Sequence, residues 1–373
     1  MSAAPAAAVP APPTPAASDV VILGVGMTTS VGLSAPETAA AVRAGLALFA
    51  RSSIHDQRGE PFTLAEVPDA GLAELVDGVE PAPPTPALTT REARLLRLAT
   101  QPVRECLAAL PARASAPAVM MALPSPHLTN GRRSIDGPGF LGRLARQVGG
   151  AVDVRRSDAS HVGRAGGIAA IHAAAASLRA GHAAYVVAGG VDTYSDLYVL
   201  GMLDRERRVL SAHPDGFVPG EGAAFLLLAT RDTAAWAGVR PLAALTPAAT
   251  AVEEGHLYSE VPYRGEGLAR AVGALVAGGA LPLPVREVYS SMNGEHHWAK
   301  EWGVSVLRNR AAFDAEHGMH HPADCAGDTG AACGPLMVGL AALGIAGRYR
   351  RGPCLVYASS DDGPRAALGV FAA

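Results

Sequence analysis

Several features that define whole classes of protein are scarce or missing in this sequence. Its 373 residues include only four cysteines, none of them in a C-x-x-C pair, so we expect a reduced, cytoplasmic protein without a disulfide framework. Positive charge is not in excess, because the formal net charge is −3 and the pI is near 6.5, which argues against a nucleic-acid partner. The longest apolar stretch, Gly334 to Gly347, is too short to cross a bilayer, so no membrane partner is expected.

What the sequence does contain is enough apolar material for a large buried core. Hydrophobic residues make up 49% of the chain, and the mean hydropathy is +0.19. Residues 1–18, MSAAPAAAVPAPPTPAAS, differ in composition from the rest of the chain, because prolines interrupt a run of alanines. They also lack the basic residues with which a signal peptide begins. This composition predicts a disordered Pro/Ala-rich tail and not a signal peptide. We expect order to begin near Asp19.

Apolar runs and amphipathic segments alternate along the rest of the chain. This alternation predicts an α/β layer architecture with a mainly parallel sheet. Strands are expected at about 20–23, 118–123, 151–155, 185–188, 223–229, 285–292, 354–358 and 366–371, and helices at about 91–110, 165–180, 264–278, 297–312 and 330–346. Residues 19–235 and 236–373 have a similar content of strands and helices, which predicts an N-terminal half and a C-terminal half.

Two glycines after the first apolar run allow a dinucleotide-binding interpretation. The motif Gly24-x-Gly26 is incomplete, since the third glycine, Gly32, is mis-spaced. No acidic residue follows about 20 residues further on, where a ribose ligand is expected. This alternative is therefore weak.

Three longer segments carry a more specific resemblance. They are VILGVGMTTSVGLSAPETAAAVRAG at 21–45, AGGIAAIHAAAASLRAGHAAYVVAGG at 165–190 and DGFVPGEGAAFLLLA at 215–229. In this order they resemble the opening strand and helix, the nucleophile helix and the downstream hairpin of the β-ketoacyl synthases of the thiolase superfamily. The resemblance implies a five-layered α/β/α/β/α fold of two related halves, with helix 165–180 in the middle. It also implies dimerisation through the strand before the nucleophile position, here about 151–155.

The same resemblance implies that the family's three catalytic side chains are replaced. The nucleophilic cysteine begins the central helix, where the helix dipole favours its thiolate. Counted back without a gap from Gly189-Gly190, that position is Arg164. The first of two histidines that stabilise the developing oxyanion corresponds to Asn293, and the second to Gly327 or Asp328, depending on a one-residue gap. An arginine cannot form the thioester.

These replacements predict one charged cavity, lined by Arg164, Asn293, Glu295, Asp328 and also Asp361. A lone buried cation costs several kcal/mol, so Arg164 needs a partner there. In one hypothesis it pairs with Glu295 or Asp328 and fills a cavity without chemistry. In the other, Arg164 and the helix N-terminus bind an anionic group such as a carboxylate or phosphate.

Other residues with catalytic or metal-binding chemistry fit less well. Ser160 and His161, near Asp158, are adjacent on an extended segment and face opposite ways, which disfavours a substitute nucleophile pair. Cys333 is expected to be a buried, inert residue at a helix start. Histidines at 296, 297, 317, 320 and 321 precede Cys325, and the last three have helical spacing. They complete no zinc signature, so neither a metal nor a cofactor is expected. Phe217 and Glu221 are expected to support the hairpin and the cavity wall.

Two functions of different classes remain open on the sequence. The first is a ketosynthase homologue that cannot perform the cysteine-dependent condensation and acts as an acyl- or protein-binding partner, in a homodimer or in a heterodimer with an active ketosynthase. The alternative is an acyltransferase that acts on thioesters of an acyl-carrier protein or coenzyme A, with Asn293, Glu295 and Asp328 polarising the acyl group. Removal of a nucleophile removes the acyl-enzyme step, which favours the first.

Overall fold

The computed structural model describes residues 19–79, 87–129, 131, 134–211 and 213–373. The predicted tail at 1–18 lies outside these ranges. The strands are β1 (Val20–Thr29), β2 (Ala50–His55), β3 (Pro61–Leu64), β4 (Ala118–Ala122), β5 (Asp158–Ser160), β6 (Tyr185–Thr193), β7 (Glu221–Thr230), β8 (Ala243–Leu245), β9 (Ala249–Val252), β10 (Val285–Ser290), β11 (Phe313–His320), β12 (Cys354–Ser359) and β13 (Pro364–Phe371). The helices are α1 (Ala35–Arg43), α2 (Thr90–Ala108), α3 (Gly137–Gln147), α4 (Gly166–Arg179), α5 (Leu197–Arg205), α6 (Arg231–Trp236), α7 (Glu266–Ala277), α8 (His296–Arg308), α9 (Ala323–Ala326) and α10 (Cys333–Ala346).

Eleven strands of the described chain form one continuous sheet. Its order is β11-β10-β12-β13-β8-β1-β7-β6-β4-β5, and β9 pairs with β13 away from this path. The predicted mainly parallel sheet is wrong, because β6–β7, β1–β7 and β12–β13 are antiparallel while β4–β6 and β10–β12 are parallel. Each of these strands is a buried apolar run, and such a run does not indicate whether the strand pairs parallel or antiparallel with its neighbour. No helix in the described ranges is long and apolar enough to span a membrane.

Three hydrophobic clusters show that the sheet and its helices form five layers. Successive residues of a strand face opposite sides. In β6, Val186 packs with the central helices α4 and α10, whereas Val187 packs with the outer helices α2 and α3. In β12, Val356 packs toward the same central helices, and Leu355 packs with α7 and α8 on the far side. The thiolase-like α/β/α/β/α arrangement expected from the sequence is therefore present.

The sheet puts the start of α4 at the centre of the molecule. Helices α4 and α10 cross closely, because a Cβ on Gly167 would lie 2.2 Å from Cδ of Pro335. Strands β6 and β7 are buried along almost their whole length, as expected for strands covered on both faces. The loops that follow β10 and β12 both reach the N-terminal end of α4. This end is where the predicted site residues meet.

Two sequence-based expectations fail at the strand level. Residues 151–155 are not a strand: Gly149 and Gly150 have φ of +75° and +73°, a tight turn follows at 154–156, and the strand is β5 at 158–160. The dinucleotide interpretation also fails, because Gly24 and Gly26 lie inside β1. Their missing side chains allow α2 to approach, since a Cβ on Gly26 would lie 2.0 Å from the carbonyl oxygen of Pro102.

Candidate functional site

Arg164 lies in a tight turn, 163–165, immediately before α4. Gly163 precedes it with φ of +68°, in the left-handed region that favours glycine. The hydroxyl of Ser360 accepts a hydrogen bond from the backbone N–H of Ala165 at 3.0 Å and so satisfies one of the free donors at the helix start. The Arg164 side chain is only 3% exposed. A cation is thus buried at the positive end of the central helix.

Two carboxylates from separate loops neutralise Arg164. Its Nε donates to Oδ2 of Asp328 at 2.7 Å, and its Nη1 donates to Oδ1 of Asp361. Burial alone would lower the pKa of Arg164, but the negative charges of Asp328 and Asp361 raise it well above its ordinary value. The guanidinium is therefore permanently charged. It pairs with Asp328, one of the two partners that the sequence suggested, and not with Glu295.

Arg208 is the second cation of the site, and no motif in the sequence points to it. Its Nε and Nη2 donate to the two oxygens of Glu295 at 2.7 and 2.9 Å, and its Nη1 donates to Oδ2 of Asp361 at 2.9 Å. Asp361 thus joins the two arginines. Burial would raise the pKa of Asp361, but Arg164 and Arg208 together lower it far below its usual range. We call these five residues, Arg164, Arg208, Glu295, Asp328 and Asp361, the arginine–carboxylate cluster.

Neutral side chains complete the hydrogen bonding of this cluster. The amide Nδ2 of Asn293 donates to Oδ2 of Asp328 at 2.8 Å and to Oε2 of Glu295 at 3.1 Å. The indole N–H of Trp298 also donates to Oε2 of Glu295, at 2.9 Å. All five residues that the sequence placed in one cavity therefore lie together, and Asn293 connects the carboxylates of the two arginines. Such bonding is what a buried ionic group requires.

Aromatic rings enclose the two arginines. The guanidinium carbon of Arg164 lies 5.3 Å from the ring centroid of Trp298 and 5.8 Å from that of Phe217. The guanidinium of Arg208 lies 5.4 Å from Phe217. These distances allow cation–π attraction between the guanidinium groups and the rings. Glu221, the other hairpin residue, is fully buried and pairs with Arg94 away from the cluster.

Little free space remains beside Arg164. The cavity bordered by Arg164, Asp192, Tyr194, Gly330 and Asp361 has a volume of about 30 Å³. A single water needs about 10–15 Å³ on this scale, so the cavity holds about two waters and no acyl chain. A ligand anion would also meet a guanidinium that two carboxylates already neutralise. The geometry favours the ion-pair hypothesis for Arg164 over the anion-binding one.

None of the four cysteines, all of which are described, is placed to replace a nucleophile. All are buried. Burial raises the pKa of every thiol, and the negative charge of Asp328 raises that of Cys333 further. The Sγ of Cys333 lies 3.7 Å from the carbonyl oxygen of Arg164. A thiolate, the reactive form, is disfavoured at each position.

The remaining sequence candidates are dispersed. Nδ1 of His161 lies 3.1 Å from the carbonyl oxygen of Pro124 and so has a partner other than Ser160. The helical spacing suggested for residues 317–321 is wrong, because β11 is extended through His320. His320 pairs with Glu287 at 2.7 Å, and Nδ1 of His321 lies 2.6 Å from Oγ of Ser290. Within the described ranges, no three His, Cys, Asp or Glu side chains converge as metal ligands.

Comparisons with known proteins agree with this fold. The family model of the beta-ketoacyl synthase N-terminal domain matches residues 163–234, which begin at the turn of Arg164. The ishigamide ketosynthase/chain length factor superposes with a TM-score of 0.75 and 17% identity, covering 96% of this chain and 100% of that chain. No curated protein sequence matches the chain.

Two further solved structures have the same architecture. A type II PKS acyl-carrier protein in complex with its ketosynthase, bound to the hexaketide, gives a TM-score of 0.75 at 14% identity over 96% of this chain and 100% of that chain. An oxazolomycin ketosynthase domain from Streptomyces albus JA3453 gives 0.71 at 17% identity over 95% of this chain and 76% of that chain. The chain therefore shares its fold with these ketosynthase structures, and residues 163–234 match the beta-ketoacyl synthase N-terminal domain.

Proposed function

We propose that this protein is a non-catalytic ketosynthase-like subunit that acts by binding a protein or acyl partner. One observation carries the proposal: the side chain at the start of the central helix is an arginine that Asp328 and Asp361 neutralise in a nearly filled cavity. The resemblance to β-ketoacyl synthases implies that this is the position of their nucleophilic cysteine. The cluster then stabilises the centre of the fold in place of the catalytic triad.

The chemistry of condensation supports this proposal. The reaction begins when a thiolate attacks an acyl-thioester, and the acyl group stays on sulfur until the new carbon–carbon bond forms. A guanidinium with a raised pKa cannot act as that nucleophile. By the resemblance, Asn293 stands at the position of the first histidine, and Gly327 or Asp328 at that of the second. Asp328 accepts hydrogen bonds from both Asn293 and Arg164. The amide N–H groups of Asn293 are thus directed at carboxylates, and the carboxylate of Asp328 has no proton to donate to an oxyanion.

The partner that we propose is a second ketosynthase-type subunit. One structural relative is described as a ketosynthase/chain length factor, and another as a complex of an acyl-carrier protein with its ketosynthase. Strand β5 lies at one end of the sheet and pairs with β4 alone among the described strands. It is the strand before the position of Arg164. We propose it as the edge through which the chain dimerises, with a copy of itself or with an active ketosynthase.

A decarboxylation assay tests the proposal. Purified protein is incubated with malonyl-CoA, and release of carbon dioxide is measured with an active ketosynthase as the positive control. We expect no release above that of buffer for the wild-type chain. Enzymatic release by the wild type that Asn293→Ala abolishes, with folding unchanged by circular dichroism, would reject the non-catalytic role.

One feature supports the alternative, a cysteine-independent acyltransferase. An open groove of about 570 Å³ borders the cluster and is lined in part by Arg208, Tyr258, Glu295 and His297. Burial lowers the pKa of His297, so this imidazole is neutral near pH 7 and could accept a proton. Transfer of an acyl group from coenzyme A to an added acyl-carrier protein would establish this function. Loss of that transfer in His297→Ala, with the fold intact, would assign it to this groove.

A further inference from the structure

An apolar groove that shares no lining residue with the arginine–carboxylate cluster lies beside helix α6. Helix α6 and the loop at 111–115 border it, and its volume is about 770 Å³. Apart from Arg113, Ser115, Asp232 and Thr233, the lining is apolar or aromatic and comprises Pro111, Ala112, Ala114, Ala184, Tyr185, Trp236 and Ala237. Trp236 is 87% exposed, whereas Trp298 and Trp302 are 3% and 9% exposed. The exposed indole and the apolar groove together form a surface that an apolar occupant would remove from water.

The described chain begins beside this groove. The carbonyl oxygen of Asp19 accepts a hydrogen bond of 2.7 Å from the backbone N–H of Arg231, the first residue of α6. Trp236 is five residues further along the same helix, which corresponds to about 7.5 Å along its axis. Any residue shortly before Asp19 therefore lies within reach of the groove. The side chain of Asp19 also pairs with Arg179, which fixes the point where the chain enters the fold.

The segment before Asp19 has the composition that suits such a groove. Residues 1–18 contain five prolines and no charged side chain. Four of the prolines fall within the segment 10–15, Pro-Ala-Pro-Pro-Thr-Pro. Proline-rich segments favour an extended helix that loses little entropy on binding, and they dock into grooves lined by Trp and Tyr. Pro15 is four residues before Asp19, a reach of up to about 14 Å.

We propose that the segment 10–15 binds in cis to the groove of α6, with its prolines against the indole of Trp236. The occupant is thus part of the same chain. Its uncharged, apolar side chains match a lining that is mainly apolar. Docking of this segment covers the exposed tryptophan.

Acrylamide quenching of tryptophan fluorescence tests this proposal in the full chain. Trp298 and Trp302 are buried, so acrylamide mainly reaches Trp236. The test variant carries Pro10→Ser, Pro12→Ser, Pro13→Ser and Pro15→Ser. The matched control carries four Ala→Ser changes just before this segment, at residues 4, 6, 7 and 8. If the prolines cover about half of the indole, their loss raises the quenching constant about twofold, and the control leaves it unchanged.

Several results would overturn the proposal. Equal quenching constants in the wild type and the proline variant would show that the segment does not cover Trp236. Protection that disappears on dilution would identify a second copy of the chain as the occupant. A difference that persists in Trp236→Phe would come from the buried tryptophans and not from the groove. Loss of protection in the proline variant alone, independent of concentration, is the result that we expect.

Discussion

At the scale of single residues, the proposed function rests on Arg164. A ketosynthase requires a sulfur nucleophile at the start of its central helix, where the dipole favours an anion. An arginine there carries the opposite charge and is tolerated because Asp328 and Asp361 lie in contact with it. Under the proposed function, the ion pairs and the absence of condensation chemistry both follow from this one residue.

Removal of Arg164 should destabilise the fold strongly. In Arg164→Ala, Asp328 keeps its buried carboxylate but loses its cation, so we expect the free energy of unfolding to fall by about 3–5 kcal/mol. Urea unfolding measures this change. Arg51 pairs with Glu60 at the surface, with side chains 71% and 66% exposed, and Arg51→Ala is the control that should cost less than about 0.5 kcal/mol. A loss below about 1 kcal/mol for Arg164→Ala would show that the cluster does not stabilise the fold.

The stability of the protein at acid pH should depend on Asp361. Its pKa is lower in the folded state than in the unfolded chain, so its contribution is complete above the unfolded pKa and is lost as the pH falls below about 4. Asp361→Asn should be less stable at neutral pH but should lose less stability between about pH 5 and pH 2. Burial raises the pKa of Asp192 and Glu301, so these two carboxyl groups add stability as the pH falls. They do so in both the wild type and Asp361→Asn. Parallel pH profiles from urea unfolding would contradict the prediction.

At the scale of elements, the sequence is informative where a segment is long and strongly patterned. The alanine-rich helix expected at 165–180 is α4, 166–179, and the strand expected at 223–229 is β7, 221–230. Failures occur where local signals conflict. Two glycines and a tight turn displace the strand from 151–155 to 158–160. Residues 317–321 have helical spacing but belong to or follow strand β11, because pairing with β10 overrides local preference.

The crossing of the two central helices depends on Gly167. A Cβ at this position would lie 2.2 Å from Cδ of Pro335 and 2.8 Å from the carbonyl oxygen of Ala331. Gly167→Ala should therefore separate α4 from α10 and reduce the free energy of unfolding by about 1–3 kcal/mol. Gly142 in α3 has no atom within 4 Å of a Cβ, so Gly142→Ala should instead stabilise by about 0.5–1 kcal/mol. Thermal unfolding of both variants is the measurement, and equal effects would refute the packing argument.

At the scale of the whole molecule, the site is assembled from distant parts of the chain. Arg164 precedes α4, Arg208 follows α5, Glu295 precedes α8, and the two aspartates follow α9 and β12. Resemblance to a family could place four of these five residues, because each falls at or near a family motif. Arg208 has no such motif and sits in the run Arg205-Glu206-Arg207-Arg208, which reads as a solvated surface segment. Only the three-dimensional structure shows that it is buried.

The proposed subunit role predicts the mass of the protein in solution. Light scattering of the chain alone should give a mass of about twice 37.9 kDa if it forms a homodimer. After mixing with an active ketosynthase, a heterodimer should give the sum of the masses of the two chains. Edge pairing through β5 predicts that Ala159→Pro, which removes a backbone N–H from that strand, weakens the dimer. Urea unfolding of the same variant serves as the control for a general loss of stability. A monomer under both conditions would contradict the proposed assembly.

The most direct test of the central claim is intact-mass spectrometry after incubation with acetyl-CoA and hexanoyl-CoA. The protein has no free thiolate and no nucleophile at position 164, so its mass should remain that of the unmodified chain. An active ketosynthase, treated in parallel, should gain the mass of the acyl group. An acyl adduct on the wild-type chain, mapped by peptide analysis to a residue of the arginine–carboxylate cluster or to Cys333, would contradict the account.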